Sequence, residues 1–296
     1  MPDDASMPPR ARGFAYAGVV VALFSGFVLL SRHGLSTTLS LPDIAALRFG
    51  IGGLLLSPVL IRHGLSGLRP AQAAGLAGLG GLGFALFAYA GFALAPAAHG
   101  AILLHGTLAL TTAMLLRILG GQRVAPRRGL ALGAIALGVL TMAWDSVRQS
   151  SPELLAGDLC LLAASFCWSG YGLYVRRLGL PAVQAAAIVA GLSGLVFLPV
   201  YGWLPGPGLS KASWGDLALQ GVFQGVLIGV VSVFVYTRAV GLLGAATVAT
   251  FTALVPGLTT LGGYLLLGEY PSPATLLGLA FITAGMAAGL RWGERT

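Results

Sequence analysis

The residues able to do chemistry are few, and nearly all of them lie inside apolar runs. His99 and His105 stand six apart, so on a helix they point about 240° apart and cannot share one ligand face. Each has two readings: a group on a solute pathway, or a histidine hydrogen-bonded between helices. Trp168 falls near the middle of its run and shares a helical face with Tyr171, with Tyr174 and Cys167 on an adjacent face. An indole N–H and a phenol O–H need partners in hydrocarbon. A water-filled cavity, a bound solute or a neighbouring helix supplies them. Tyr89 and Gln224 are further polar groups at membrane depth, and Thr247, Thr250 and Phe251 form a broad face leading to Pro256. A proline there frees a carbonyl and bends its helix, as a hinge or as a static kink. Arg48 is the one basic residue well inside a run. A structural role at a vestibule, its stem snorkelling outward, is preferred for it over binding a substrate carboxylate.

These groups do not assemble into a catalytic or metal constellation. No nucleophile–base pair can be nominated, and no second pair of ligands stands at useful spacing from the histidines, so neither enzyme chemistry nor a metal or other cofactor is expected. A Gly-Lys-Ser/Thr phosphate loop is missing from the sequence, and no ATPase subunit is implied. Cys160 and Cys167, seven apart in one apolar run, read as packing thiols. The net charge of +8 does not indicate nucleic acid, because the basic residues are scattered through short links rather than gathered with aromatics.

The elements that must position these side chains are membrane helices. Apolar residues make up 56% of the 296-residue chain and charged residues 9%, against about 25% charged in ordinary globular domains. Glycine contributes 45 residues, as closely packed membrane helices require. A spanning helix needs about 20 apolar residues, and ten such stretches are expected: 14–34, 42–61, 72–93, 97–117, 127–144, 157–177, 182–202, 214–236, 242–267 and 274–291. The first run lacks a clean cleavage motif and reads as a helix rather than a signal. Trp144, Trp203, Trp214 and Trp292 are placed for interfacial belts. Arg10, Arg12, Arg62, Arg69, Arg117, Arg123, Arg127, Arg128, Arg176, Arg177, Arg238, Arg291 and Arg295 fall on the side of the two termini, against Arg32, Arg148 and Lys211 on the other. The bias puts both termini in the cytoplasm.

The two halves echo each other. Ser25-Gly26-Phe27 recurs as Ser169-Gly170-Tyr171, with Arg32 and Arg176 seven residues beyond each serine. Further on, Tyr89, Gly121, Pro126, Ile135 and Gly138 match Tyr236, Gly268, Pro273, Ile282 and Gly285 at a constant offset of 147. Five helices per half invert the second half, so the expected fold is an all-α membrane protein of ten transmembrane helices in two inverted five-helix repeats. The organisation is a cytoplasmic tail 1–13, repeats 14–144 and 157–291, and a tail 292–296. Such repeats commonly hold a solute near the midplane between them. Ser25 and Phe27 would then face Trp168 and Tyr171 from the opposing wall. Gly221, Gly225 and Gly229 form a small-residue ridge read as a packing seam.

The run Val255-Pro256 through Leu267-Gly268-Glu269-Tyr270, with Pro273, Gly278, Ile282 and Gly285 beyond it, resembles the drug/metabolite transporter superfamily in its EamA-type branch. Pro42 to Gly53, with Ala46-Leu47-Arg48-Phe49, is similar to the second-helix pattern of the same group. The resemblance implies a ten-helix exporter of amino acids or other small metabolites, and the Ser-Gly-Tyr segment with the helix-four histidine resembles the aromatic amino acid exporters of that branch. The first half departs from the pattern, with Ala109 and Gln122 where the second has Pro256 and Glu269. The expectation is therefore a secondary transporter of the bacterial inner membrane, with the lipid bilayer and small organic solutes, amino acids first, as its partners. Trp168, Tyr171, His99, His105, Tyr89, Gln224, Thr247, Phe251 and Ser25 are its candidate contacts. An exporter of drugs or nucleobase-like metabolites and a non-transporting binding protein are the alternatives. Coupling to protons and facilitated diffusion both stay open, as does the oligomeric state.

Overall fold

A computed structural model describes residues 8–121, 124–148, 151–204 and 208–293. It contains ten helices long and apolar enough to cross a membrane: α1 Pro9–Leu35, α2 Leu41–His63, α3 Pro70–Leu94, α4 Ala97–Gly120, α5 Pro126–Arg148, α6 Pro152–Leu178, α7 Ala182–Trp203, α8 Trp214–Leu243, α9 Thr247–Leu267 and α10 Pro273–Leu290. Gln122, Arg123 and Arg295 lie outside the described residues, as do the side chains of Arg291 and Trp292.

Local chemistry sets where the helices begin and end. Pro70, Pro126, Pro152 and Pro273 each open a helix, where a missing N–H costs nothing and φ is already helical. Ser40 caps α2 through Asp43, whose Oδ2 accepts from the Ser40 N–H at 2.7 Å and hydroxyl at 2.6 Å. Gly121 and Gly268 end α4 and α9 at φ +62° and +66°, a left-handed turn that glycine adopts without strain. Two of the matched pairs, Gly121/Gly268 and Pro126/Pro273, are thus the same stop and the same start in each half.

Several boundaries differ from the hydropathy reading. Helix α6 starts five residues earlier than 157, because Ser151 caps it and Glu153 sits favourably in the first turn. Helix α8 runs on to Leu243 and carries Arg238 within it, and the helix that leads into α9 begins at Ala245 rather than 242, after Gly244 turns the chain at φ +81°. Trp144, Trp203 and Trp214 stand exposed near helix ends, as interfacial tryptophans do.

The packing is symmetric under exchange of each helix with the one five further on. Helix α1 packs on α8 as α6 packs on α3, α2 on α8 as α7 on α3, and α1 on α9 as α6 on α4, while α2 pairs with α7 and α5 with α10. The distortions repeat too. Wide i→i+5 turns occupy Ala77–Gly83 in α3 and Gly221–Val231 in α8. Helix α4 breaks at Gly106–Thr107 and α9 at Ala253–Leu254, at the same offset of 147. Only the second break precedes a proline, Pro256, so proline is not what imposes it; the break belongs to the repeat. The Pro256 carbonyl accepts from the Thr260 hydroxyl at 2.8 Å and is not a free ligand.

Glycines let α8 lie against α2. A Cβ on Gly225 would stand 2.5 Å from Ile51 Cβ and 3.1 Å from the Leu47 carbonyl oxygen. Gly225→Val is therefore expected to cost about 1–3 kcal/mol by overpacking. Gly133, whose Cβ would meet nothing, should accept valine without loss, and melting of the two purified variants in detergent makes the comparison.

Candidate functional site

A cavity of about 400 Å³ lies between the halves, within the range of about 300–1,000 Å³ that small-molecule sites occupy. Its walls come from both repeats. Phe24 and Phe27 of α1 stand across from Trp168 and Tyr171 of α6, at the positions the repeat equates, and His105 of α4 across from Thr252 of α9. Phe84 closes the ring: its centroid is 4.7 Å from that of Trp168 and 5.9 Å from that of Phe27. Trp168 continues to Tyr171 at 5.3 Å, and Phe24 lies 5.6 Å from His105 and 6.3 Å from Tyr236. The result is an aromatic belt suited to a flat or apolar solute.

Among the described residues, Arg48 is the one full positive charge on this wall. Its guanidinium carbon sits 5.4 Å from the Phe27 ring and 5.6 Å from the Phe84 ring, held by cation–π contact rather than by an acid. Its Nη1 is buried with no hydrogen-bond partner, as is Nδ1 of His105. Among the described residues no Asp or Glu lines the cavity.

The cavity is lopsided along the bundle. Its lining runs from Arg48 and Phe49 to Val175, Ala182 and Thr237, which adjoin Arg176 and Arg238 at the arginine-rich end. The other end is closed by polar contacts between the halves. Glu269, beyond α9, accepts from Arg32 Nε of α1 at 2.8 Å and from the Ala97 N–H of α4 at 2.7 Å, and Arg32 Nη1 donates to the carbonyls of Phe92 and Ala93 at 2.9 and 3.0 Å. His99 Nδ1 lies 2.7 Å from Asp158 Oδ1 and its Nε2 3.2 Å from Thr275 Oγ1, while Ser146 donates to Asp158 Oδ2 at 2.7 Å. Tyr201 donates to Asp43 at 2.5 Å. All of these groups sit at C-terminal ends of odd helices or N-terminal ends of even ones, or in α5 and α6 close to that same end.

The nominated side chains divide accordingly. Trp168, Tyr171 and His105 line the cavity. His99 does not: it is 3% exposed and both ring nitrogens are engaged in the sealed end. Tyr89 and Gln224 are fully buried beneath the cavity. The Tyr89 hydroxyl donates to Gln224 Oε1 at 3.0 Å, and Gln224 Nε2 donates to Ser31 Oγ at 2.9 Å, tying α3, α8 and α1 together. Ser25 is buried and turned from the lining, which takes Phe24 and Phe27 instead, since a helix shows one face to the cavity. Phe251 packs on Phe14 with centroids 5.7 Å apart, and Thr247 is likewise off the lining, leaving Thr252 as the contribution of α9.

Two further contributors are legible in the sequence. Arg48 was visible as the one basic residue inside a span. Tyr236 was visible as the repeat mate of Tyr89; it is 40% exposed and lines the cavity. The two tyrosines are equivalent in sequence but not in setting, one locked into the sealed end and the other at the open one. Elsewhere the polar residues of α4 serve the scaffold. Thr107 donates to Ser165 at 2.8 Å and Thr111 bonds Ser169 at 2.7 Å, a hydroxyl ladder that stitches the broken helix to α6.

Residues 155–289, in the second half of the chain, match the model of the EamA-like transporter family. No curated protein matches the chain. One solved crystal structure aligns with 97% of this chain and 100% of its own length at 22% identity, with a TM-score of 0.61. That likeness extends the fold, though not a function, over both halves.

Proposed function

We propose that the protein is a secondary transporter that exports amino acids, aromatic ones among them, across the bacterial inner membrane by alternating access. The observation that carries this reading is the cavity itself: an aromatic belt built from equivalent positions of two repeats, open towards one end of the bundle and sealed at the other. The positive-inside bias makes the open end cytoplasmic, where an exporter collects its cargo. Trp168 and Tyr171 with Phe27 and Phe84 take the apolar body of the solute, while Arg48, His105 and the hydroxyls of Tyr236 and Thr252 meet its polar end. Opening the far end requires the contacts around Glu269 and His99 to part, and the two-fold packing gives each half an equivalent set of surfaces to exchange. That no acid stands among the described lining residues argues against cationic drugs as cargo.

The reading is tested with purified protein in vesicles and a panel of labelled amino acids. Phenylalanine, tyrosine or tryptophan is expected to move several-fold faster than in empty vesicles. Trp168→Ala is expected to slow that movement about tenfold, through lost stacking of about 0.5–1.5 kcal/mol and lost apolar contact, with melting measured to show that the variant is folded. No movement of any amino acid by the wild type would remove the reading.

A further inference from the structure

We infer that the site recognises the carboxylate and the ring of its cargo and has no provision for an ammonium group, so that aromatic monocarboxylates without an amine are cargo alongside the amino acids. The inference rests on the transport reading and refines its substrate class. Arg48 is seven residues inside α2, counting from Leu41. That is about 10 Å along the helix. Charged groups at such a depth are paired, solvated or functional. Other charges of the sealed end are engaged within the chain: Arg32 pairs with Glu269 and Asp158 with His99, while Asp43 and Asp145 accept hydrogen bonds from hydroxyls. Arg48 has no ion pair among the described residues, and its Nη1 has no hydrogen-bond partner. The guanidinium does hydrogen-bond the Tyr89 hydroxyl, an uncharged group that leaves the positive charge without a counter-ion. The guanidinium is instead held between two phenyl faces, which fix its position without neutralising it.

A planar carboxylate is the group that answers this arrangement, since guanidinium and carboxylate pair through two parallel hydrogen bonds. The Phe27 and Phe84 rings that clamp Arg48 also belong to the aromatic belt. A carboxylate bound to Arg48 thus places its ring on Trp168 and Phe84 within one short molecule. Nothing comparable receives an ammonium. The lining offers no Asp or Glu among the described residues; an ammonium meets hydroxyls, one imidazole and aromatic faces there, two of which are already taken by Arg48. An α-ammonium would be desolvated beside a guanidinium with no acid to compensate it, which costs binding rather than adding to it.

Calorimetric titration of the purified full-length protein with 3-phenylpropionate, L-phenylalanine and phenethylamine decides the matter, as these share a ring and differ in the charged groups. We expect 3-phenylpropionate to bind at least as tightly as phenylalanine and phenethylamine at least tenfold more weakly. Arg48→Gln is expected to weaken 3-phenylpropionate at least tenfold, and Arg48→Lys by less, with melting temperatures confirming that both variants are folded. Phenylalanine binding tenfold tighter than 3-phenylpropionate, or a folded Arg48→Gln variant that binds both acids like the wild type, overturns the inference and leaves the transport reading standing. Binding of none of the three would overturn both.

Discussion

Replacing His99 by alanine is expected to destabilise the protein by about 3 kcal/mol, whereas replacing His105 is expected to leave stability within about 0.5 kcal/mol and to impair transport instead. The two histidines are six residues apart on one helix and alike in sequence context. Their surroundings separate them. His99 is buried between α6 and α10, with Asp158 on one nitrogen and Thr275 on the other. Its loss leaves a buried carboxylate with Ser146 as its remaining partner, and a buried charge stripped of its partner is among the costliest single changes. His105 faces the cavity with Nδ1 unpartnered, so truncating it strands nothing. Unfolding in detergent gives the first quantity and vesicle transport the second. Equal destabilisation by both variants would mean that His105 is a structural group and not a cavity wall.

The second large effect concerns the sealed end. Glu269→Gln is expected to shift the protein towards a state open on the side opposite the arginines. The carboxylate joins α9 to α1 and to the start of α4, while Arg32 holds the end of α3 through the Phe92 and Ala93 carbonyls. The two side chains are 28% and 20% exposed, so solvent screens part of their attraction and the pair is discounted accordingly. What remains, chiefly the charge-assisted hydrogen bonds, amounts to about 1–2 kcal/mol. That is about tenfold in a two-state equilibrium. A single cysteine at Ser31→Cys, in a background with Cys160→Ser and Cys167→Ser, reports it. Labelling by an impermeant maleimide from that side should be about tenfold faster with Glu269→Gln than without. Equal rates would show that the contact does not hold the seal.

How much of this was readable from the sequence depends on the kind of signal. Spans were readable because length and apolarity are linear properties. Helix starts and stops were readable at Pro126, Gly121 and their mates, since proline and glycine act through the local backbone. The repeat could be read at a fixed offset, and its structural counterparts are the matched breaks in α4 and α9. Which face of each helix meets the cavity was much harder to read. Membrane helices are apolar on the lipid side and on the packed side alike, so hydropathy does not distinguish them. Ser25 and Phe27 are two residues apart, yet one is packed away and the other lines the belt. Partners distant in the chain were invisible: His99 and Asp158 meet across 59 positions, and Tyr89 and Gln224 across 135. Arg48 was conspicuous, but with Phe27 and Phe84 out of view a structural role at a vestibule was preferred for it over a substrate carboxylate. The placement of Tyr89 and Tyr236 depends on which end is sealed, a property of a state that one sequence does not encode as a single answer.

Alternating access is tested most directly by solute counterflow. Vesicles loaded with excess unlabelled phenylalanine are diluted into trace labelled phenylalanine, and internal label is followed with time. A carrier whose cavity faces one side at a time exchanges solute for solute, so internal label should rise above its equilibrium level and then decay. Trp168→Ala should blunt that overshoot. A monotonic approach to equilibrium in the wild type would indicate a continuous pore, and entry no faster than in empty vesicles would indicate no pathway at all; either result contradicts the account.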